Sequence, residues 1–190
     1  VKKVKDLYDT SSGGTPSRTK PEYYETGSIN WLKTKELNDS FIFETEEKIN
    51  ESGLKNSSAK IFPALTVIIA LYGATIGKLG ILSAESSSNQ ACCALLTRDS
   101  NFNYAYIFLY LLHNRNKIIE LRQGAAQQNI SQELVRELDI YKPSQNVMEE
   151  FNSTVIPTFN MISNLQSKNN NLRRTRDFLL PNLMSGEIEV

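Results

Sequence analysis

The chain has little of what most catalytic and metal chemistry requires. Its 190 residues include one histidine, one tryptophan and two cysteines, and its formal charge sums to zero. With His113 as the sole histidine, neither a histidine-built metal cluster nor a catalytic arrangement of two imidazoles is possible, which leaves that residue a helix-surface or core role. Cys92 and Cys93 are adjacent, cannot readily bridge each other and lie in an apolar stretch, so they read as buried core thiols. Balanced charge removes the globally basic surface that would announce nucleic-acid binding. The longest apolar run, Ala64 to Leu71, falls far short of the ~20 residues a membrane-spanning helix needs, and the amino end has no signal-peptide pattern. A cytoplasmic protein without membrane attachment is the expectation.

What is present suits a soluble globular chain, with 40% hydrophobic and 22% charged residues. The length predicts one globular domain over residues 1–143, followed by a helical segment over 144–190 with a kink near Pro157 and a short tail. Charge is segregated along the chain. Lys2, Lys3, Lys5, Arg18, Lys20, Lys33 and Lys35 make the beginning basic, and Glu44, Glu46, Glu47 and Glu51 make the next segment acidic.

The patterning predicts an α+β fold, a mixed α/β domain around a central twisted sheet. Val4 to Tyr8 reads as a strand, Thr10 to Ser17 as a small-residue loop, Ile29 to Leu32 as a strand and Thr45 to Ser52 as a short helix. Leu65–Leu71, Ile76–Leu82 and Gln90–Thr97 read as the central strands, punctuated by Gly73, Gly77 and Gly80. Tyr106, Leu109, Tyr110, Leu112 and Ile118 recur near a 3.6-residue period, which predicts a helix over 103–121 ending near Gly124. Ser131 follows a polar loop as a helix N-cap, and Leu138 to Tyr141 reads as a last strand.

Several near-motifs carry no chemistry. Gly73 to Lys78 suggests a phosphate loop, but only three residues separate the glycines and Leu79 stands where a Ser or Thr would meet magnesium. Glu46-Glu47-Lys48, with Asp39 upstream, echoes a nuclease site yet reads as a solvated helix face. There is no glycine fingerprint for a nucleotide cofactor such as S-adenosylmethionine and no Asn-Pro-Pro-Tyr type loop. A non-catalytic chain with no cofactor and no metal is expected. Its loops are rich in Ser, Thr, Asn, Gln, Lys and Tyr, the side chains that can read base edges and neutralise phosphate.

The carboxy-terminal segment carries a heptad stripe. Met148, Phe151, Val155, Ile162, Leu165, Leu172, Leu179 and Leu183 fall on a and d positions of one register, with polar Asn169 and Arg176 at two a positions. Such a stripe either lies along another helix in an antiparallel coiled coil or folds back on its own domain. Pro157 predicts a kink or a restart, leaving an arm from Pro157 to about Leu180, roughly 35 Å long.

One ordered set of segments is more specific than any of these. Gly13-Gly14-Thr15-Pro16-Ser17, Ile29-Asn30-Trp31-Leu32, Leu71 to Gly77, Ser88-Asn89-Gln90-Ala91, Gly124 to Ser131, and Arg176 to Pro181 with Leu183 to Ile188 together resemble the specificity subunit of type I restriction-modification systems. The resemblance implies a target recognition domain that reads one half of a split double-stranded DNA site, joined to a spacer helix that docks the modification (methyltransferase) subunits and, through them, the restriction subunit. It also implies two recognition domains per full subunit. This sequence carries one, as a half-subunit that pairs with itself into a homodimer or as part of a longer chain.

On that resemblance the DNA-contacting residues are Thr15, Ser17 and Arg18, Lys33, Thr34 and Lys35, Tyr72 and Thr75, Asn89 and Gln90, and Gln127, Gln128 and Asn129. Each group has a plainer alternative. Thr15 and Ser17 can close their own turn, Asn89 and Gln90 can satisfy backbone groups, and the 127–129 loop can cap the next helix. Trp31 reads as core. The competing function is a coiled-coil homodimer that binds another protein without reading DNA.

Overall fold

A computed structural model of the protein describes residues 1–99, 101–121 and 129–186. The chain opens with β1 (Lys2–Lys3), one helical turn α1 (Val4–Leu7) and β2 (Tyr8–Ser12). Then come β3 (Ile29–Leu32), β4 (Ser40–Ile42), β5 (Lys48–Ile49), the short helix α2 (Glu51–Lys55), β6 (Val67–Ala70), β7 (Leu79–Leu82), β8 (Ser87–Ser88) and β9 (Cys92–Thr97). Helix α3 (Tyr104–Glu120), helix α4 (Gln132–Glu137), β10 (Asp139–Ile140) and the long helix α5 (Gln145–Ser185) complete it. The mixed α/β architecture expected from the sequence is present.

The main sheet has five strands in the order β2-β9-β6-β7-β4, antiparallel except for the parallel β7/β4 pair. Every residue of β6 and β7 is buried, which is why their sequences are continuous apolar runs rather than alternations. Leu32, Ile42, Phe62, Ile68, Leu82 and Cys92 cluster on one side of the sheet. Helix α3 packs on β6 and β7. A second, three-stranded sheet, β5-β3-β8, carries its own core of Trp31, Ile49 and Ala59. Burying a side chain the size of Ile or Leu contributes about 1.5–3 kcal/mol, so these clusters dominate the stability of the fold. Burial pushes both thiols up, Cys93 to about 12, so the pair stays protonated as apolar filling.

Four local expectations are corrected. Val4 to Leu7 is a helical turn, not a strand, because Lys3 N–H donates to Asp6 Oδ2 at 2.9 Å and Val4 N–H to Leu138 O at 3.0 Å. The first three residues of the expected 10–17 loop belong to strand β2, paired with β9 from Tyr8↔Thr97 to Ser12↔Cys93. The expected helix over 45–52 is β5 followed by α2, whose start is set by Asn50: its side chain accepts from Gly53 N–H at 2.9 Å. The core face of α3 is Tyr104, Ala105, Ile107, Phe108, Leu111 and Ile118, whereas Leu112 is exposed. Tyr106 and Tyr110 lie between the two faces and donate their hydroxyls to Tyr141 O and Asp139 O, each at 2.8 Å.

Two compact units divide the chain, residues 1–151 and 152–190. Helix α5 runs unbroken from Gln145 to Ser185 with Pro157 and Pro181 inside it, so it does not restart at Pro157. Its helical length is about 60 Å. Each proline leaves the ladder short of one N–H, a local loss that the remaining bonds of so long a helix outweigh. Among the described residues no helix is long and apolar enough to cross a membrane.

Candidate nucleic-acid interface

Most of the predicted contact residues lie on loops that backbone hydrogen bonds join into one run. Gly14 N–H donates to Ser88 O and Trp31 Nε1–H to Gly14 O, both at 2.9 Å, which seats the 13–18 loop against β8 and β3. Asn89 N–H donates to Leu32 O at 2.9 Å, Leu71 N–H to Ala91 O at 2.8 Å, and Ile130 N–H to Leu71 O at 2.7 Å. Thr15, Ser17, Arg18, Lys33, Thr34, Lys35, Asn89, Gln90, Tyr72, Thr75 and Asn129 therefore belong to one connected set of loops. Gly13 is required at the tightest approach, since a Cβ there would stand 1.9 Å from Ser88 O.

Individual side chains differ in what they are free to do. Thr15 donates its hydroxyl to the Gln90 side-chain oxygen, so two predicted contact residues hold each other. Ser17 pairs with Thr19 at 2.8 Å within its own loop, and Asn89 Oδ1 accepts from Ala91 N–H at 3.1 Å, the local roles weighed from the sequence. Gln90 is exposed. Trp31 is core, only 2% exposed.

The segregated charge of the sequence is folded onto itself. Lys33 pairs with Glu47 and with Glu46 at 3.2 Å, Lys35 pairs with Glu46, and Arg18 Nη1 lies 2.7 Å from Glu47 Oε2. Glu36 spends both carboxylate oxygens on backbone, accepting from Lys33 N–H and Glu46 N–H at 2.7 Å each. Glu46 and Glu47 thus lie on an irregular segment beside the basic residues, not on the helix face expected for them. The Lys33 ammonium, with Arg18 behind it, holds the Glu47 carboxyl below its ordinary range, and the Lys35 and Lys33 ammoniums do the same for Glu46. Tyr24, whose ring lies against the Arg18 guanidinium, and Glu46 and Glu47 are additions that sequence reasoning missed. The signal available for the two glutamates was the acidic run that follows the basic one.

Farther along the run, Tyr72 and Asn129 line a common concavity of about 820 Å³, together with Leu71, Ile130 and Ser131. Ser131 caps α4 as expected, accepting from Leu134 N–H at 3.0 Å. Gly73 and Gly77 take positive φ in the turn that carries Tyr72 and Thr75. Gln127 and Gln128 lie outside the described residues, as does Gly124.

The heptad stripe divides between the units. Met148 is buried in the first unit, and Phe151 meets Tyr106 edge-on at a centroid distance of 5.7 Å. Val155 is half-buried. In the second unit Ile162, Leu165, Leu172, Leu179 and Leu183 are 36–67% exposed, and Asn169 and Arg176 are exposed beside them.

Residues 1–174 match the family model of the type I restriction modification DNA specificity domain. The chain belongs to this family. It is 26% identical over 194 residues to the HindI specificity subunit of Haemophilus influenzae, covering 99% of this chain and 41% of that protein. It is 24% identical over 192 residues to the MjaIX specificity subunit of Methanocaldococcus jannaschii, covering 100% of this chain and 44% of that protein. This specificity-family chain thus spans less than half the length of these curated relatives. Its fold is that of the M. genitalium type I system S subunit, with a TM-score of 0.67 at 14% identity over 94% of this chain and 44% of that one. The HsdS subunit of Thermoanaerobacter tengcongensis gives 0.58 at 12% identity over 98% of this chain and 44% of that one.

Proposed function

We propose that this chain reads one half of a split double-stranded DNA target as the specificity component of a type I restriction-modification enzyme. The observation that carries the reading is the run of polar loops, joined backbone to backbone, on a chain of the specificity-domain family. Thr15, Ser17, Arg18, Lys33, Thr34, Lys35, Tyr72, Thr75, Asn89, Gln90 and Gln127 to Asn129 are the proposed contacts, with Ser17, Arg18, Lys35, Gln90 and Asn129 exposed. The chain does no chemistry itself. It offers seats to the modification (methyltransferase) subunits and, through them, to the restriction subunit, in the cytoplasm. Residues 1–143 form the reading domain and residues 144–190 the spacer.

Exposure of Ile162, Leu165, Leu172, Leu179 and Leu183 supports pairing of α5 with a second spacer helix. Pairing with another copy of this chain makes a two-fold contact and therefore a palindromic split target, each half read by one copy. Asn169 and Arg176 select the register of that pairing. Selection of bound or methylated sites from random duplex DNA by the chain assembled with its modification subunits tests the reading. A split palindrome is expected, and so is a dimer mass for the chain alone. Absence of any affinity for a randomised duplex pool at low salt overturns the DNA reading, and a monomer at micromolar concentration overturns self-pairing.

A further inference from the structure

Arg18 is held in a manner unlike the other cations of the interface. Its guanidinium lies over the Tyr24 ring at 4.2 Å from the centroid and 4.9 Å from that of Trp31. Tyr24 is fixed in turn, donating its hydroxyl to Pro16 O at 2.7 Å and meeting Trp31 edge-on at 5.8 Å. Nη1 is 2.7 Å from Glu47 Oε2, an ion pair rather than an aligned hydrogen bond. Glu47 cannot drift, because Lys33 holds its other oxygen and its carbonyl accepts from Trp31 N–H at 3.2 Å and from the Thr45 hydroxyl at 2.6 Å. The Arg18 side chain nevertheless remains 52% exposed. Its Nε and Nη2 have no hydrogen-bond or ion-pair partner among the described residues.

Such a group suits one class of ligand better than another. A phosphate contact wants uncompensated positive charge, and here Arg18, Lys33 and Lys35 are already met by Glu46 and Glu47. A phosphate brought to Arg18 would also face the Glu47 carboxylate. A base edge carries no net charge, so that repulsion is absent. The remaining pair of N–H groups matches the O6 and N7 acceptors of guanine, the pairing in which a planar fork outperforms a lysine. Stacking on Tyr24 and the pair with Glu47 have already frozen a long side chain, so its ordering cost falls on folding rather than on binding.

We propose that Arg18 reads a guanine in the half-site and that Glu47 is the positioning residue that aims its fork. This rests on the DNA-recognition reading above. The test is site selection from random duplex DNA by the full chain assembled with its modification subunits, comparing wild type with Arg18→Lys and Glu47→Gln. Circular dichroism first verifies that both size-preserving variants fold.

The wild-type half-site is expected to contain a required guanine. Arg18→Lys should relax the preference at that one base roughly 10- to 100-fold and leave the other positions unchanged. Glu47→Gln should relax the same base by a smaller factor, since stacking alone does not fix the fork's rotation about the ring. The assignment is overturned if Arg18→Lys weakens all sequences alike with a shallower salt dependence, which is the mark of a phosphate contact, or if Glu47→Gln leaves the preference intact. A wild-type complex that enriches no sequence overturns the DNA-recognition reading itself, and this assignment with it.

Discussion

Asp39 takes a φ of +64°, a backbone setting that aspartate and asparagine tolerate better than most side chains. Its N–H donates to Leu79 O at 2.8 Å, and its carboxylate accepts from Leu79 N–H and Lys78 Nζ at 3.0 Å and from the Arg115 fork. These bonds pin the foot of the turn that carries Tyr72 and Thr75. Burial alone would raise this carboxyl, but the hydrogen bonds from Leu79 N–H, Lys78 and Arg115 outweigh it and hold the group below its ordinary range. A carboxyl lowered on folding adds stability that is fully present above its unfolded pKa of ~4 and disappears as pH falls through the lower folded value. Asp39→Asn should therefore cost about 1–3 kcal/mol at neutral pH, chiefly by depriving Arg115 of its anion. The gap from wild type should narrow as pH drops from about 5 toward 2. Urea melts across that range check it, and a gap that stays constant would move the stabilisation away from this carboxylate.

Among the elements, α5 contains the plainest cost. Pro157 supplies no N–H to the ladder and crowds the preceding turn, a penalty of about 3 kcal/mol in a helix interior. Pro157→Ala should raise the thermal midpoint of the helical signal at 222 nm, and an unchanged midpoint would mean that neighbouring groups already compensate for the missing bond. The proline's presence was visible in the sequence, but the helix's passage through it was not, since local rules allow kink, restart or continuation alike. The central strands β6, β7 and β9 were legible because residues buried on both faces must all be apolar. Strand β2, with the sequence Tyr-Asp-Thr-Ser-Ser, was not, because it lies at the edge of its sheet and only Tyr8 is fully buried. The two-residue strands β5 and β8 are too short for any period to show. At the candidate site the loops were found by their glycines and amides. Their grip on one another was missed, because it runs through backbone atoms between residues such as Gly14 and Ser88, far apart in the chain.

At the scale of the molecule, the packing of Met148 and Phe151 bears on where the first unit can be cut. Met148 is 1% exposed, and truncating a buried methionine to alanine costs about 2–5 kcal/mol. A chain stopped after Phe151 should unfold cooperatively and retain native near-ultraviolet dichroism. A chain stopped at Pro143 loses both side chains and should be less stable by about 3–5 kcal/mol. Equal denaturant midpoints for the two would show that the start of α5 adds nothing to the domain. Because the loops of the candidate interface are stitched through N–H and C=O groups that every residue but proline possesses, the side chains they display can be exchanged without unpicking the seams. Gly13, Gly14 and Trp31 are the fixed fasteners, and the solvent-facing side chains of Thr15, Ser17, Gln90 and Asn129 are replaceable cloth. A library that randomises Thr15, Ser17, Gln90 and Asn129 while keeping those fasteners should yield mostly folded chains, which makes this a scaffold on which new sequence preferences can be written without redesigning the fold.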